Sequence, residues 1–237
     1  MKVCIVIPTF HEEEISRTLD RLAAHLEAVK HARFEVVVVD DTSEAARASI
    51  RAAWKSDAVT LVVMSGPKRG KGAAVRDGVL ASTGEIVFTI DADLPVPLEQ
   101  IDAFIARISG GADVVMAERP MTRNLEDPLR FVLSRGLYAF QRYVIFGAHV
   151  FNDTQCGFKA FRGELVRALA QKQAVDGGMY DIEYLYLARR TGARIDRVEV
   201  IPNPEWRSSK INAWRALRRD PKDLLMVRWR AIRGDYD

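Results

Sequence analysis

Short apolar runs at residues 3–7, 34–39, 59–64, 86–90 and 113–116 alternate with amphipathic stretches, and this alternation constrains the fold more than any other feature. Each run has strand length and reads as a strand buried on both faces, whereas residues 15–29 repeat their apolar side chains at helical spacing. Strands joined through single helices need crossover connections, which predict an α/β fold with a mostly parallel sheet flanked by helices. A chain of 237 residues with 48% hydrophobic and 28% charged side chains can fill one such unit. In open sheets of this kind ligands collect beyond the carboxyl ends of the strands, so functional side chains are expected there.

Beyond residue 117 the pattern changes. Residues 129–150 predict a long helix rich in aromatics and arginine, then a turn at 152–157, a helix from Gly163, another around 181–190 and a strand at 194–200. The stretch from Asn212 has helical periodicity, with Pro221 expected to break it. No repeat or low-complexity linker divides the chain, so one domain over 1–237 is expected. Two cysteines, Cys4 and Cys156, are too few for a disulfide framework and suit a reducing, cytoplasmic setting. No apolar run is long enough to span a bilayer, and no signal-peptide pattern precedes the first one.

The first run leads into Pro8-Thr9-Phe10-His11-Glu12 and the second into Asp40-Asp41-Thr42-Ser43. Either segment could simply cap the next helix, but both lie where such a sheet binds its ligand. The fourth run ends in Asp91-Ala92-Asp93. Two carboxylates spaced i, i+2 at a chain turn can face one cation, and oxygen ligands suit Mg²⁺ or Mn²⁺, which also bind substrate phosphates. An ordinary acidic turn is the simpler alternative. Between them, Lys68-Arg69-Gly70-Lys71-Gly72 leads into a helix. Helix N-termini expose unpaired N–H groups and attract anions, although the spacing of a Walker loop is missing and a solvated basic turn has the same composition.

Taken in order, Pro8-Thr9-Phe10 with Glu12, Asp40-Asp41, Arg69-Gly70-Lys71-Gly72 and Asp91-Ala92-Asp93 resemble the family-2 glycosyltransferases of the GT-A fold. Asp153-Thr154-Gln155-Cys156-Gly157-Phe158-Lys159, followed by Tyr180-Asp181-Ile182-Glu183 and Ser208-Ser209-Lys210, resembles more narrowly the dolichyl-phosphate glucosyltransferases and their polyprenyl-phosphate relatives. The resemblance implies a GT-A (Rossmann-like) sheet with C-terminal amphipathic helices. It divides the chain into a nucleotide-sugar half (1–118), an acceptor half (119–211) and a basic amphipathic tail (212–237). The implied activity is inverting, metal-dependent hexosyl transfer, with UDP-glucose as donor and a polyprenyl or dolichyl phosphate as acceptor at the cytoplasmic membrane face.

By the same resemblance, Pro8, Thr9, Glu12 and Asp40 hold base and ribose, and Lys71 lies against the nucleotide. Asp91 orients the donor and Asp93 is the principal ligand of Mg²⁺ or Mn²⁺. Arg207, Ser209 and Lys210 close on the pyrophosphate, and Arg119, Arg130 and Arg135 receive the acceptor phosphate. Pro95 stands where related mannosyltransferases carry an amide ligand, so the remaining metal ligands must come from phosphate, water or a distant residue. A lipid phosphate is already anionic and needs no base. For a sugar hydroxyl, Asp181 or Glu183 would serve as the catalytic base, although the same pair also suits a helix start or the binding of sugar hydroxyls.

The net charge of +3 conceals a basic C-terminal stretch, where Trp214, Leu225, Trp229 and Ile232 are interleaved with Arg215, Lys222, Arg228 and Arg233. That mixture suits the headgroup layer of an anionic membrane, or a helix packed on the domain with its charges in water; no recognition motif favours nucleic acid. The residues leave other activities open: mannosyl or N-acetylhexosaminyl transfer, transfer to a soluble hydroxyl, or silent nucleotide-sugar binding at a membrane. The intact Asp91/Asp93 pair speaks against the last.

Overall fold

The computed structural model describes residues 1–10, 15–120, 136, 138–147, 151–203 and 213–236, with 213–219 described by their backbone. Strands β1 (Lys2–Thr9), β2 (Arg33–Asp40), β3 (Thr60–Ser65), β4 (Ile86–Thr89), β5 (Val114–Glu118), β6 (Lys159–Arg162) and β7 (Ile195–Glu199) form one sheet in the order β3-β2-β1-β4-β6-β5-β7. Pairings are parallel except around β6, which is antiparallel to both β4 and β5. Helices α1 (Ile15–Ala28), α2 (Glu44–Ala53), α3 (Lys71–Ala81), α4 (Gln100–Ser109), α5 (Gly163–Lys172), α6 (Tyr180–Arg190) and α7 (Ala213–Arg233) surround it, with a π-helical turn at Gln141–Ile145.

The period-2 alternation of each strand builds two cores. Val3, Ile5 and Ile7 of β1 face one layer, where Leu19 and Leu22 of α1 and Phe104 of α4 close over them. Cys4 and Val6 face the other, packed under α3, α5, α6 and α7. Gly78 lets α3 lie close on that face, since a Cβ there would sit 2.5 Å from a Val6 methyl. Because β2 and β4 flank β1 on opposite sides, the chain reverses its winding at β1, and a crevice opens beyond the carboxyl ends of these strands.

Several expectations are corrected. β3 is an edge strand, and its alternating exposure contradicts burial on both faces. β6 went unread because it has four residues with charges at both ends; pairing on both sides makes it a strand. Pro221 lies inside α7 without ending it. A proline forfeits one helical hydrogen bond, and the buried Leu224 and Val227 in the next turns anchor the helix to the domain. The described part of the expected 129–150 helix widens into the π turn and closes at Phe146, where Gly147 takes a positive φ of 59°.

Candidate active site at the carboxyl edge of the sheet

Register brings the strand-end motifs to one edge. Thr9 pairs with Asp40 across β1 and β2, and Val6 pairs with Thr89, so Asp91 leaves β4 level with Pro8. The buried Asp40 carboxylate accepts from Thr9 Oγ1 (3.0 Å) and from the hydroxyl and amide of Thr42 (2.6 and 3.2 Å), with Arg47 at 3.6 Å. Thr9 and Asp40 therefore brace one another. The next carboxylate, Asp41, accepts from the Lys68 amide at 2.9 Å and holds the basic loop that precedes α3.

That loop starts α3 at Lys71, next to Gly70 at φ 135°. One N–H of the helix start is already used, since Ala73 donates to the Asp176 carbonyl, while Arg69 and Arg76 reach the Asp176 carboxylate at 3.6 and 3.2 Å. Lys71 Nζ lies 2.6 Å from Asp91 Oδ1, and 35% of its side chain is open to solvent. Partial burial works against the Lys71 charge, but Asp91, Asp181 and Asp93 more than offset it and raise its pKa.

Asp91 and Asp93 flank a tight turn closed by the Leu94 amide on the Asp91 carbonyl, with Leu94 itself at a φ of 45°. A buried, branched side chain in the left-handed region is strained, and the strain sits beside the carboxylate pair. Asp93 is exposed and Asp91 partly so. No group of three potential metal-binding side chains exists among the described residues. Two hard carboxylates, one of them solvent-facing, nevertheless fit a divalent ion that completes its shell with diphosphate and water.

The segment 153–159 supports this pair from below. Asp153 clamps Arg119 in a bidentate pair, Nε at 2.6 Å and Nη2 at 3.1 Å. Thr154 donates to the buried Gln141 of the π turn at 2.9 Å. Gly157 lies under Asp91, where any Cβ would come within 2.1 Å of Oδ2. Phe158 packs edge-on to Phe88 and Phe104. Lys159, wholly buried, donates to the Cys156 carbonyl and to Asp181 Oδ1, each at 2.6 Å.

The two carboxylates considered as bases are sealed. Asp181 is 2% exposed and paired with Lys159; burial raises its pKa, and Lys159 and Lys71 oppose the rise. Glu183 accepts from the amides of Ala174 and Val175, both at 2.9 Å, and from the Tyr236 hydroxyl. It ties α6 to the end of the chain.

Residues 4–169 match the family model described as Glycosyl transferase family 2. The chain belongs to this family. Among curated relatives it is 28% identical over 214 residues to a dolichyl-phosphate beta-glucosyltransferase of Trichomonas vaginalis, which covers 85% of this chain and 64% of that protein. A second such protein from the same organism is 31% identical, over 85% of this chain and 62% of its own length. The chain thus spans just under two thirds of these relatives. The mouse dolichyl-phosphate beta-glucosyltransferase is 27% identical over 99% of this chain and 77% of that protein. Among solved structures, glucosyl-3-phosphoglycerate synthase from Mycobacterium tuberculosis, in complex with Mn²⁺, UDP-glucose and glycerol 3-phosphate, superposes with a TM-score of 0.68. It covers 95% of this chain and 79% of that one at 19% identity, which establishes a shared fold.

In this family-2 member the structure gathers Pro8, Thr9, Asp40, Lys71, Asp91, Asp93 and Asp181 along the carboxyl edge and a buried layer behind it. Glu12, Arg130, Arg135, Arg207, Ser209 and Lys210 lie outside the described residues. Arg119 stands close enough for Asp91 to act on its charge, but its main partner is Asp153. Sequence reading gave no role to Lys159 or Asp153. A lysine among Phe158, Ala160 and Phe161 was the signal available, since a lysine drawn into an apolar interior needs a counter-ion, but the identity of that partner could not be read from the sequence.

Proposed function

We propose that the protein transfers a hexose, glucose from UDP-glucose, onto a polyprenyl or dolichyl phosphate with inversion. The strand-edge cluster of Lys71, Asp91 and Asp93 supports a nucleoside diphosphate as the leaving group. Asp91 and Asp93 would hold Mg²⁺ or Mn²⁺, which when bound stabilises the negative charge developing on the departing diphosphate. Lys71, already paired to Asp91, adds a fixed positive charge on the same side.

The observation that carries the acceptor class is the burial of Asp181 and Glu183, whose carboxylates are already engaged in hydrogen bonds. Neither is open to solvent and both are already engaged, so neither is placed to take a proton from an incoming hydroxyl. A nucleophile that arrives ionised, such as a phosphate oxygen, suits this site. The names of the relatives point the same way. The test supplies UDP-glucose and Mn²⁺ with either polyprenyl phosphate or the matching polyprenol. Glucosyl transfer to the phosphate alone is expected, whereas equal transfer to the alcohol, or to a soluble sugar instead, would refute the acceptor assignment.

A lipid acceptor calls for contact with a membrane surface. No helix among the described residues is long and apolar enough to cross a membrane. The outer face of α7 exposes Leu225, Trp229 and Ile232 at helical spacing, with Lys222, Arg228 and Arg233 exposed beside them and Arg233 over the Trp229 ring at 4.4 Å. Apolar residues rimmed by cations match an anionic headgroup layer, and we assign this stripe to the cytoplasmic face of the membrane.

A further inference from the structure

Lys159 is a wholly buried charge of the site region, and the transfer chemistry makes no direct use of it. Burying an ammonium and a carboxylate costs about as much in desolvation as their attraction returns, so an apolar pair of similar volume would stabilise the fold as well or better. What an apolar pair could not do is hold the neighbouring charges. One Lys159 hydrogen bond fixes the Cys156 carbonyl, and with it the backbone at Gly157 against which the Asp91 carboxylate rests. The other fixes Asp181, whose charge acts on Lys71, and Lys71 in turn grips Asp91 at 2.6 Å. Lys159 opens β6 opposite Thr89, two residues before Asp91, so the route through Gly157 is short, while the other runs through the Asp181 and Lys71 side chains.

We infer that Lys159 and Asp181 form a buried positioning pair that sets Asp91 and Lys71 for the cation and diphosphate of the donor. Neither member touches substrate. The pair acts through Gly157 on one side of Asp91 and through Lys71 on the other, so Asp181 serves as a fixed counter-charge. This inference rests on the reading of Lys71 and Asp91 as the diphosphate end of the site.

The experiment compares thermal unfolding with UDP affinity, measured calorimetrically with and without Mn²⁺, in wild type, Lys159→Met with Asp181→Leu, and Asp181→Asn. The double variant, with no buried charge left, is expected to melt within a few degrees of wild type. It is expected to bind UDP at least about tenfold more weakly in Mn²⁺ and to lose most of the gain that Mn²⁺ gives wild type. A purely structural pair predicts recovery of both stability and affinity, and that result would overturn the proposal. Should the double variant fail to fold, Asp181→Asn carries the same test, because its amide oxygen still accepts from Lys159 while the charge beside Lys71 is gone. A folded Asp181→Asn with wild-type UDP affinity in Mn²⁺ would equally overturn it. Wild type that binds UDP with Mn²⁺ but transfers no sugar removes the transferase reading and leaves the positioning role standing. Wild type that binds no UDP removes both.

Discussion

At the scale of single residues the site depends on close contacts that leave no room for an added methyl group. A methyl group at Gly157 would overlap the Asp91 carboxylate, which is the movable end of a side chain, so the site yields more cheaply than the fold. Gly157→Ala is therefore expected to retain a near-native melting temperature while UDP affinity in Mn²⁺ drops about tenfold, the equivalent of about 1.4 kcal/mol. Unchanged affinity would mean that Asp91 does not need its present position. Glu183 predicts the opposite pattern. Tyr236→Phe removes a hydrogen bond to a buried carboxylate, and a stability loss of about 1.5–3 kcal/mol is expected in urea titrations with little effect on turnover. Burial raises the Glu183 pKa above its ordinary 4.5, so the folded state holds the proton more tightly than the unfolded chain. Its contribution to stability is full below 4.5 and fades as pH rises through the raised value. The stability difference between wild type and Glu183→Gln should fall across that window; a difference that grows with pH would contradict the assignment.

At the scale of elements, α7 offers the sharpest contrast because adjacent residues point opposite ways. Leu224 is fully buried and Leu225 is 55% exposed. Leu224→Ala should cost about 2–5 kcal/mol, and Leu225→Ala no more than about 0.5 kcal/mol, both read from denaturant unfolding. Leu225→Ser with Trp229→Ser should leave stability intact while reducing flotation with vesicles rich in anionic lipid; unaltered flotation would move the membrane face elsewhere. Legibility followed the same line between buried and mixed surfaces. β1, β2 and β4 were readable because an unbroken apolar run has one favourable environment, the interior of a parallel sheet. β6 was not, because Lys159-Ala160-Phe161-Arg162 becomes a strand only through neighbours on both sides. Asp91 and Asp93 were legible as a pair through their spacing at a strand end. The bond between Lys159 and Asp181 joins residues 22 apart in sequence, and no local pattern announces it.

At the scale of the whole molecule, the sheet order and the site have one origin. Reversal of winding at β1 opens the crevice, and the insertion of antiparallel β6 between β4 and β5 brings segment 153–159 beneath the end of β4. The parallel half thereby supplies Asp40, Lys71 and the Asp91/Asp93 turn, while the later half supplies Asp153, Gly157, Lys159 and Asp181 behind them. Burial also explains the quiet thiols of this scaffold, with Cys4 pushed up to about 12 and Cys156 to about 11. Both should resist alkylation at pH 8 until the chain is unfolded. The central requirement is that a cation and a diphosphate meet at the strand edge. Crystals soaked with Mn²⁺ and UDP test it most directly: anomalous density is predicted bridging Asp93 and the diphosphate, with Lys71 beside it. Manganese or UDP bound away from Asp91 and Asp93, in a crystal whose strand edge is open, would contradict it.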